Sequence, residues 1–410
     1  MNKPIKQLNK LRNWRVFMGA CIAALAIGGL AFMVWPFTAT VAPKVKWTPN
    51  TPFAVPAIID DGWEREDVAT AGFDASQLYK VLEDMMNGES NIHSVVVERH
   101  GKLVAELYRR GKDKKVNSFF AHEIDFGPKV VHDTRSVGKS IISLLLGIAR
   151  QQGKIKSLQT PVIDFYTEYT DLATPERKAI TLEHLLTMSS GLEWSEGGGI
   201  PDDEHHLMWK WSPYYYVLSR PIASKPGHQF NYNSGGTAVL ADILTRVTET
   251  PWNEYARKSL FEPLDIHDLE WVGDFHGRPM CYTGLRMRPR DMAKIGRLVL
   301  NHGKWQGQQI IPEDWIAASL QPRLSTGFDG TQYGYQWWIG TVEWKGQQLQ
   351  WGAAFGNGSQ RVFVVPSLDM TVVITAGAYN DIQVARRVNA FFREIVSTLQ
   401  NDLQDNTVSK

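Results

Sequence analysis

Ser136 and Lys139 are the two residues of this 410-residue chain whose types and spacing could do covalent chemistry. They lie in the polar stretch 134–140, after which apolar residues recur at helical spacing as far as Ala149. This pattern predicts the first turn of a buried helix, on which residues three apart share one face. A serine hydroxyl becomes nucleophilic when a base removes its proton, and burial lowers the pKa of a lysine so that a neutral amine is available. The pair therefore predicts acyl transfer through Ser136.

The Ser-x-x-Lys spacing alone has low specificity, because it often occurs by chance on surface helices. A second interpretation takes Gly138, Lys139 and Ser140 as the end of a phosphate-binding loop. That loop needs a glycine five positions before Gly138, and Asp133 stands there instead. The phosphate-loop interpretation is excluded, and the prediction of acyl transfer depends on motifs further along the chain.

The composition is that of an ordinary globular protein, with 43% hydrophobic and 21% charged residues. The net charge of +1 gives no sign of a nucleic-acid-binding surface, so no nucleic-acid partner is expected. The two cysteines are Cys21, in an apolar segment, and Cys281, deep in the body. We therefore expect a fold that does not depend on a disulfide.

The N-terminus predicts a membrane anchor. Residues 1–15 are basic and contain no acidic residue, and residues 16–35 carry no charge. About 20 helical residues span the hydrocarbon core of a bilayer, and a basic flank stays in the cytoplasm. This predicts a single-pass protein of the cytoplasmic (inner) membrane, with the catalytic domain on the periplasmic, extracytoplasmic side. The alternative is a cleavable signal peptide, whose apolar run is usually about 7–15 residues long; the longer run here favours an uncleaved anchor.

The rest of the chain divides into a proline-rich linker (36–60), a body (61–400) and a polar tail (401–410). The body begins with a helix near residues 74–86 and a hairpin over residues 92–108. Helices follow, then short β-rich runs between residues 333 and 375, and a closing helix over residues 381–399. This order predicts an α+β fold with an antiparallel sheet flanked by helices, plus a helical subdomain.

Five motifs occur in order along the body. Three of them are numbered: the first motif is the Ser-x-x-Lys stretch at 134–140, the second motif is residues 226–236, and the third motif is residues 356–366. The other two are residues 180–192 and 284–298. Together the five motifs resemble the serine β-lactamase and penicillin-binding-protein superfamily. Within it, the chain is similar to the branch of class C-like β-lactamases, esterases and 6-aminohexanoate-dimer hydrolases. The resemblance covers roughly residues 60–400 and implies a β-lactamase/transpeptidase-like fold.

The resemblance also implies roles for particular residues. Ser136 would be the acylated nucleophile, Lys139 its proton partner, and Tyr232 a second member of the proton shuttle that protonates the leaving group. A phenol acts as a base near neutrality only beside an ammonium, which Lys139 would supply. The backbone N–H groups of Ser136 and Asn357 would form the oxyanion hole, at about 3–4 kcal/mol each. Neither a metal nor an organic cofactor is implied.

Two departures from the superfamily pattern bear on the substrate. The usual Tyr-x-Asn motif is replaced by Tyr232, Asn233 and Ser234, and the cation that opens the third motif in drug-hydrolysing members is replaced by Ala354. In those relatives the cation helps to hold the β-lactam carboxylate. Its absence favours esters or amides that lack this carboxylate.

Further substrate contacts are expected from the second and third motifs and from an aromatic cluster in the loop-rich region 193–229, for which ordinary packing is an equal alternative. These residues are Ser234, Gly356 and Gly358 in the motifs, and Trp209, Trp211 and Tyr215 in the cluster. The run 202–206 has acidic and histidine residues but lacks zinc-site spacing, and is interpreted as a solvated loop rim.

The sequence thus predicts a membrane-anchored serine hydrolase that cleaves an ester or amide bond through an acyl-enzyme on Ser136. Its expected partners are a small-molecule or peptide-like ester or amide substrate and the membrane. One alternative is a D-Ala-D-Ala carboxypeptidase or β-lactamase, and another is a catalytically silent relative that binds cell-wall peptides. The chain has no Gly-x-Ser-x-Gly elbow, which argues against an α/β-hydrolase.

Overall fold

The computed structural model describes Met18, Ala24 and residues 56–400, apart from residues 89, 119 and 198–201. The predicted membrane anchor over 16–35, the basic segment before it, most of the linker and the tail at 401–410 lie outside the described residues. Within the described part of the chain, no helix has both the length and the apolar character needed to cross a membrane.

The strands are β1 (Glu64–Arg65), β2 (Ile92–Arg99), β3 (Lys102–Tyr108), β4 (Arg110–Asp113), β5 (His122–Asp125), β6 (His132–Asp133), β7 (Leu269–Trp271), β8 (Leu285–Met287), β9 (Lys304–Trp305), β10 (Gln308–Gln309), β11 (Leu324–Ser325), β12 (Gln332–Tyr333), β13 (Trp338–Trp344), β14 (Gln347–Gly356), β15 (Gln360–Val365) and β16 (Met370–Ala376). The α-helices are α1 (Ala75–Asn87), α2 (Val137–Gln151), α3 (Pro175–Lys178), α4 (Leu182–Leu186), α5 (Asp203–Trp209), α6 (Pro213–Leu218), α7 (Ser234–Thr248), α8 (Trp252–Ala256), α9 (Pro289–Leu300), α10 (Glu313–Ser319) and α11 (Ile382–Ser397). Short 3₁₀ or π turns occur at Val162–Phe165, Thr170–Leu172, Arg257–Phe261, Glu262–Leu264 and Pro366–Leu368.

The main sheet has nine strands in the order β1-β3-β2-β16-β15-β14-β13-β12-β11. All its neighbours pair antiparallel except β1 and β3, which pair parallel. The predicted antiparallel sheet is therefore correct except at one edge, and the sheet is mixed. Because β2 and β3 pair antiparallel, β1 runs opposite to β2, the strand that follows α1, and in the same direction as the second strand of the hairpin. A two-residue strand gives no periodic signal by which the sequence could have shown this.

The predicted hairpin and first helix form for the expected local reasons. His100 and Gly101 both have positive φ, 55° and 81°, as a tight turn between twisted strands requires. Asp74 caps α1 by accepting a hydrogen bond from the Gln77 amide at 3.0 Å. Side chains of β2 alternate between two hydrophobic clusters, one on each face of the sheet. The sheet is thus covered on both sides, which gives three packed layers.

Helix α2 positions the site, because it is buried on every side from Val137 to Ala149. A helix that is apolar all round belongs in the middle of a domain. It packs against β14 of the sheet on one side and against α7 of the helical subdomain on the other. Its N-terminus, with Ser136, therefore opens into the cleft between the sheet and the helical subdomain.

Candidate active site

Ser136 and Lys139 are in direct contact, as their spacing predicts. Ser136 is the N-cap residue of α2 but makes no side-chain capping hydrogen bond. A hydrogen bond of 2.8 Å joins its Oγ to Lys139 Nζ, which also donates to the Tyr282 carbonyl at 3.0 Å. Lys139 is only 1% exposed. Two fixed partners hold its amine on the serine oxygen, within the distance needed for proton transfer.

Two backbone features give the nucleophile its position. Arg135, just before Ser136, has a φ of 52°, a left-handed conformation that costs a side-chain-bearing residue about 1–2 kcal/mol. Its guanidinium offsets this by donating to the Lys114 carbonyl at 2.7 Å and lying 4.2 Å from the Tyr379 ring centroid. At Gly138 a Cβ would lie 2.3 Å from the Cys281 carbonyl oxygen. Glycine there lets the 281–282 backbone approach α2.

Tyr232 completes a three-residue group around the serine. It lines the same cleft as Ser136, and Lys139 Nζ lies 4.8 Å from its ring centroid. Burial and the carboxylates of Glu196 and Glu204 raise the pKa of Tyr232 well above its ordinary value. Burial and the Glu196 carboxylate thus disfavour the phenolate that a base role near neutrality would need, and the place of Tyr232 in the proton shuttle stays a prediction. Tyr232 keeps its proton and suits donation to a leaving group.

Glu196 is a site residue that the sequence analysis missed. Its carboxylate accepts hydrogen bonds from the Ser234 amide at 2.8 Å, the Ser234 hydroxyl at 2.7 Å and Trp194 Nε1 at 2.9 Å. Ser234 is fully buried and does not line the cleft. The serine that replaces the family asparagine thus binds a carboxylate of the protein, and its hydroxyl does not face a substrate as expected.

Glu204 brings a second carboxyl to the cleft. Burial and the neighbouring Glu196 carboxylate raise its pKa to about 8, because two negative charges in one low-dielectric site disfavour each other. The run 202–206 is therefore not the solvated rim that its composition suggested. Asp202 caps α5 by accepting from the His205 amide at 3.1 Å, and Asp203 accepts from the Ser195 amide at 2.8 Å. Both aspartates are buried.

The third motif closes the other side of the serine. At Gly356, the last residue of β14, a Cβ would lie 2.1 Å from the Thr134 carbonyl oxygen, so only glycine allows this approach. Asn357 and Gly358 line the cleft together with Ser136. The Asn357 side-chain oxygen accepts from the Gly358 amide at 2.7 Å and the Asn380 amide at 2.8 Å. The fold thus brings both predicted oxyanion residues to one cleft and braces the Asn357 turn.

The cleft has a volume of about 610 Å³, which suits a small-molecule substrate. Its aromatic wall comes from the main sheet and the second motif. Trp338 lies centrally, with ring centroids 5.2 Å from Phe355, 5.9 Å from Phe328 and 5.8 Å from Tyr232. No local sequence pattern marks this wall, because its four aromatic residues come from four separate segments of the chain.

The aromatic residues expected to form that wall lie elsewhere. Trp209 stacks on Phe275 at 3.7 Å, and Trp211 is 83% exposed. The Tyr215 hydroxyl donates to Asp171 at 2.7 Å on the surface. None of the three lines the cleft. The prediction was wrong because these residues lie on and around the short helices α5 and α6, whose buried faces use Met208 and neighbouring aliphatic residues.

The sequence profile of the family described as Beta-lactamase matches residues 83–391, which include all of these motifs. The chain belongs to the Beta-lactamase family. A 6-aminohexanoate-dimer hydrolase from Paenarthrobacter ureafaciens is 24% identical over 306 residues, which are 70% of this chain and 72% of that relative.

Solved structures share the fold of this Beta-lactamase family member. A Bacillus anthracis protein described provisionally as a 6-aminohexanoate-dimer hydrolase has a TM-score of 0.64 at 19% identity, over 84% of this chain and 90% of that one. A class C β-lactamase from Rhodobacter sphaeroides has a TM-score of 0.59 at 15% identity, over 78% and 99%. The fold is thus β-lactamase/transpeptidase-like, and the family and its hydrolase relatives identify a serine hydrolase.

This Beta-lactamase family member lacks the third-motif cation, as its sequence indicates. Ala354 is 1% exposed and belongs to the hydrophobic core. The nearest cation on β15 is Arg361, whose Nε donates to Asn389 at 3.0 Å and which lies 3.9 Å from the Phe355 ring centroid. Burial lowers the pKa of Arg361 to about 9. Its role in the cleft wall is therefore mainly to support Phe355 and the end of β14.

Proposed function

We propose that this chain is a membrane-anchored serine hydrolase that cleaves an ester or amide bond through an acyl-enzyme on Ser136. The observation that carries the proposal is the 2.8 Å contact between Lys139 Nζ and Ser136 Oγ inside a substrate-sized cleft. The basic segment at 1–15 and the uncharged run at 16–35 support the anchor, with the body on the extracytoplasmic side.

The proposed reaction uses each group in turn. Lys139 takes the proton of Ser136 as Oγ bonds to the substrate carbonyl carbon, and the N–H groups of Ser136 and Asn357 stabilise the resulting oxyanion. Tyr232 donates its proton to the leaving oxygen or nitrogen as that bond breaks, and Lys139 returns a proton to Tyr232. Water then attacks the acyl-enzyme with the same transfers reversed, which releases the acid and restores Ser136.

We propose a substrate that carries a positive charge near the reacting bond. Glu196 and Glu204 make one end of the cleft acidic, while the third-motif cation that would hold a carboxylate is absent. The Paenarthrobacter ureafaciens relative is named for the 6-aminohexanoate dimer, a linear amide with a free amine at one end and a free carboxylate at the other. That name supports an ester or amide of an amine-bearing acid.

The charge of Glu204 gives this substrate proposal a pH dependence. Its pKa of about 8 makes it neutral below and negative above that pH. For a 4-nitrophenyl ester with a quaternary trimethylammonium group, we expect KM to fall about tenfold as the pH rises through 8, a charge attraction of ~1.4 kcal/mol. The matched neutral ester, with a tert-butyl group in its place, should show no such fall. The Glu204→Gln variant should show a smaller fall, left by Lys114, which lines the same cleft and whose pKa burial lowers to about 8. Equal profiles for both esters would contradict a cationic substrate.

Intact mass tests the nucleophile. We expect the full-length chain, purified in mild detergent, to gain one phosphonyl group from a fluorophosphonate, and Ser136→Ala to gain none. A 4-nitrophenyl ester should be turned over only by the wild-type chain. A folded wild-type chain that neither reacts nor turns over ester would support the silent cell-wall-peptide binder instead.

A penicillin separates the remaining alternatives in the same assay. We expect no lasting penicilloyl adduct, because no cation in the third motif holds the β-lactam carboxylate. A stable adduct on Ser136 would favour the D-Ala-D-Ala carboxypeptidase, and rapid penicillin turnover would favour the β-lactamase. Membrane fractionation of the expressing cells, with protease added outside the cytoplasmic membrane, tests the anchor and its orientation.

A further inference from the structure

A buried polar cluster lies behind the nucleophile, among residues that none of the motifs includes. His93 on β2, Asp113 on β4 and His132 on β6 are each at most 2% exposed. His93 Nδ1 and His132 Nε2 are only 2.7 Å apart. His132 Nε2 is 3.9 Å from Asp113 Oδ2. Three groups that bind or lose protons thus meet in the interior. One of them, His132, stands four residues before Ser136 along the chain.

The hydrogen bonds around the cluster fix the number of protons on the two rings. The Asn91 amide is oriented by its Nδ2, which donates to the Lys112 carbonyl at 3.1 Å. Asn91 Oδ1, 3.0 Å from His93 Nε2, therefore accepts, and Nε2 carries a hydrogen. His132 Nδ1 lies 2.8 Å from the Asp133 carbonyl, which can only accept, so Nδ1 also carries one. If neither His93 Nδ1 nor His132 Nε2 carried a hydrogen, their lone pairs would repel at 2.7 Å. A third hydrogen therefore lies between the two rings.

A metal ion between the same atoms fits less well than a proton. The three side chains are of the kinds that bind Zn²⁺, and their free atoms lie within 4.8 Å of one another. Nitrogen ligands at about 2.0–2.1 Å from a tetrahedral Zn²⁺ are separated by about 3.3 Å. The rings are 2.7 Å apart, the separation of a strong hydrogen bond. Three protons on two rings give the pair one positive charge.

Asp113 is the counter-charge. Its Oδ2 is buried and has no hydrogen-bond partner, while its Oδ1 accepts from the Tyr379 hydroxyl at 2.6 Å. Burial and the charges of His132 and Arg109 lower the pKa of His93 well below its usual value. Geometry places the shared proton on the His132 side, because His132 Nε2 lies 3.9 Å from Asp113 Oδ2. Burial raises the pKa of Asp113, but the two histidines outweigh it and keep the carboxyl ionised.

The charges continue from the pair to the nucleophile. Tyr379, held by Asp113, carries the Arg135 guanidinium on its ring at 4.2 Å. Asp133 lies 3.4 Å from Arg135 and 2.5 Å from Arg286. Positive and negative groups therefore alternate up to the residue that precedes Ser136. Removal of the shared proton would leave Asp113 as an uncompensated charge at the start of this series.

We propose that His93 and His132 share one proton permanently, and that this buried cation, balanced by Asp113, is a positioning element for Arg135 and Ser136. The assignment of a positioning role rests on the proposed function of Ser136. The shared proton itself does not, and can be observed without any activity.

Nuclear magnetic resonance of full-length chain labelled with ¹⁵N-histidine detects the proton. We expect a far-downfield proton resonance coupled to nitrogens of two different histidines, with His132 as the doubly protonated ring. It should disappear in His93→Gln and in His132→Gln. Two neutral rings, or zinc bound in a 1:1 ratio to the purified chain and lost in both variants, would overturn the proposal.

The variants separate charge from hydrogen bonding. In His93→Gln the new side-chain oxygen can still accept from a charged His132, so we expect kcat within about threefold of wild type. In His132→Gln the charge is lost, and we expect kcat to fall about 10²-fold with little change in KM, the loss that a nucleophile displaced by ~1 Å suffers.

Restored charge balance provides the decisive control. Adding Asp113→Asn to His132→Gln removes the unpaired carboxylate, so the double variant should recover at least about tenfold of the lost kcat. A surface substitution, His267→Gln, should change nothing. Equal losses in His93→Gln and His132→Gln, or additive losses in the double variant, would refute the charge role. A wild-type chain without hydrolase activity would refute the proposed function and leave the resonance test intact.

Discussion

Lys139→Met is expected to lower kcat/KM for esters and amides alike by about 10²–10⁴-fold, the range in which general-base catalysis contributes. Methionine matches the lysine in length and suits a site that is 1% exposed, so the fold should persist. The loss would arise because Lys139 Nζ is the basic atom that hydrogen bonds to Ser136 Oγ, whereas the raised pKa of Tyr232 disfavours a phenolate as the base. Steady-state kinetics and the rate of fluorophosphonate labelling measure the effect.

Tyr232→Phe is the matched control for that prediction. A nitrophenolate can leave without taking up a proton, whereas an alkylamine must be protonated to leave. Loss of the Tyr232 hydroxyl should therefore reduce activity on an alkyl amide much more than on a nitrophenyl ester. Lys139→Met should lose comparable factors on both. If Tyr232→Phe and Lys139→Met had the same substrate profile, Lys139 would not be the separate base that the 2.8 Å contact indicates.

The parts of the site that could be predicted from the sequence are those encoded locally. Ser136 and Lys139 are one helical turn apart, and the apolar run after them marks α2 as a buried helix. The hairpin of β2 and β3 and the closing helix α11 follow from periodicity and turn residues in the same way. Each depends on neighbours within a few positions, which is the range that periodicity reports.

The parts that could not be predicted depend on contacts between distant segments. Glu196 bonds to Ser234 across 38 residues of chain, and His93 meets His132 across 39. No rule of residue spacing predicts contacts between such distant residues. A glutamate in a loop, such as Glu196, is usually solvated. The rise in the pKa of Tyr232 could not be predicted for the same reason: Lys139 stands in a recognisable motif, while Glu196 and Glu204, which raise this pKa, do not.

Gly356→Ala is expected to lower kcat/KM by about 10²–10³-fold, the cost of losing one oxyanion-hole donor. The added methyl group would lie 2.1 Å from the Thr134 carbonyl oxygen, in backbone that cannot turn aside as a side chain can. The end of β14 must therefore move away from the loop before Ser136, and the N–H of Asn357 moves with it. Fluorophosphonate labelling rates should fall in parallel, while thermal unfolding reports whether β14 still pairs with β15.

Gly127→Ala is the control for the glycine itself, because a Cβ there meets nothing within 4 Å and its φ is not in the left-handed region. It should behave as wild type. Asn357→Ala is the control for the side chain: it keeps the backbone N–H, so we expect a smaller loss, confined to the bracing of the Gly358 and Asn380 amides. If Asn357→Ala lost as much as Gly356→Ala, the catalytic group at this position would be the side-chain amide, and the oxyanion hole would need another second donor. The relative kcat/KM values of the three variants thus decide whether the turn after β14 acts through its backbone N–H or through the Asn357 side chain.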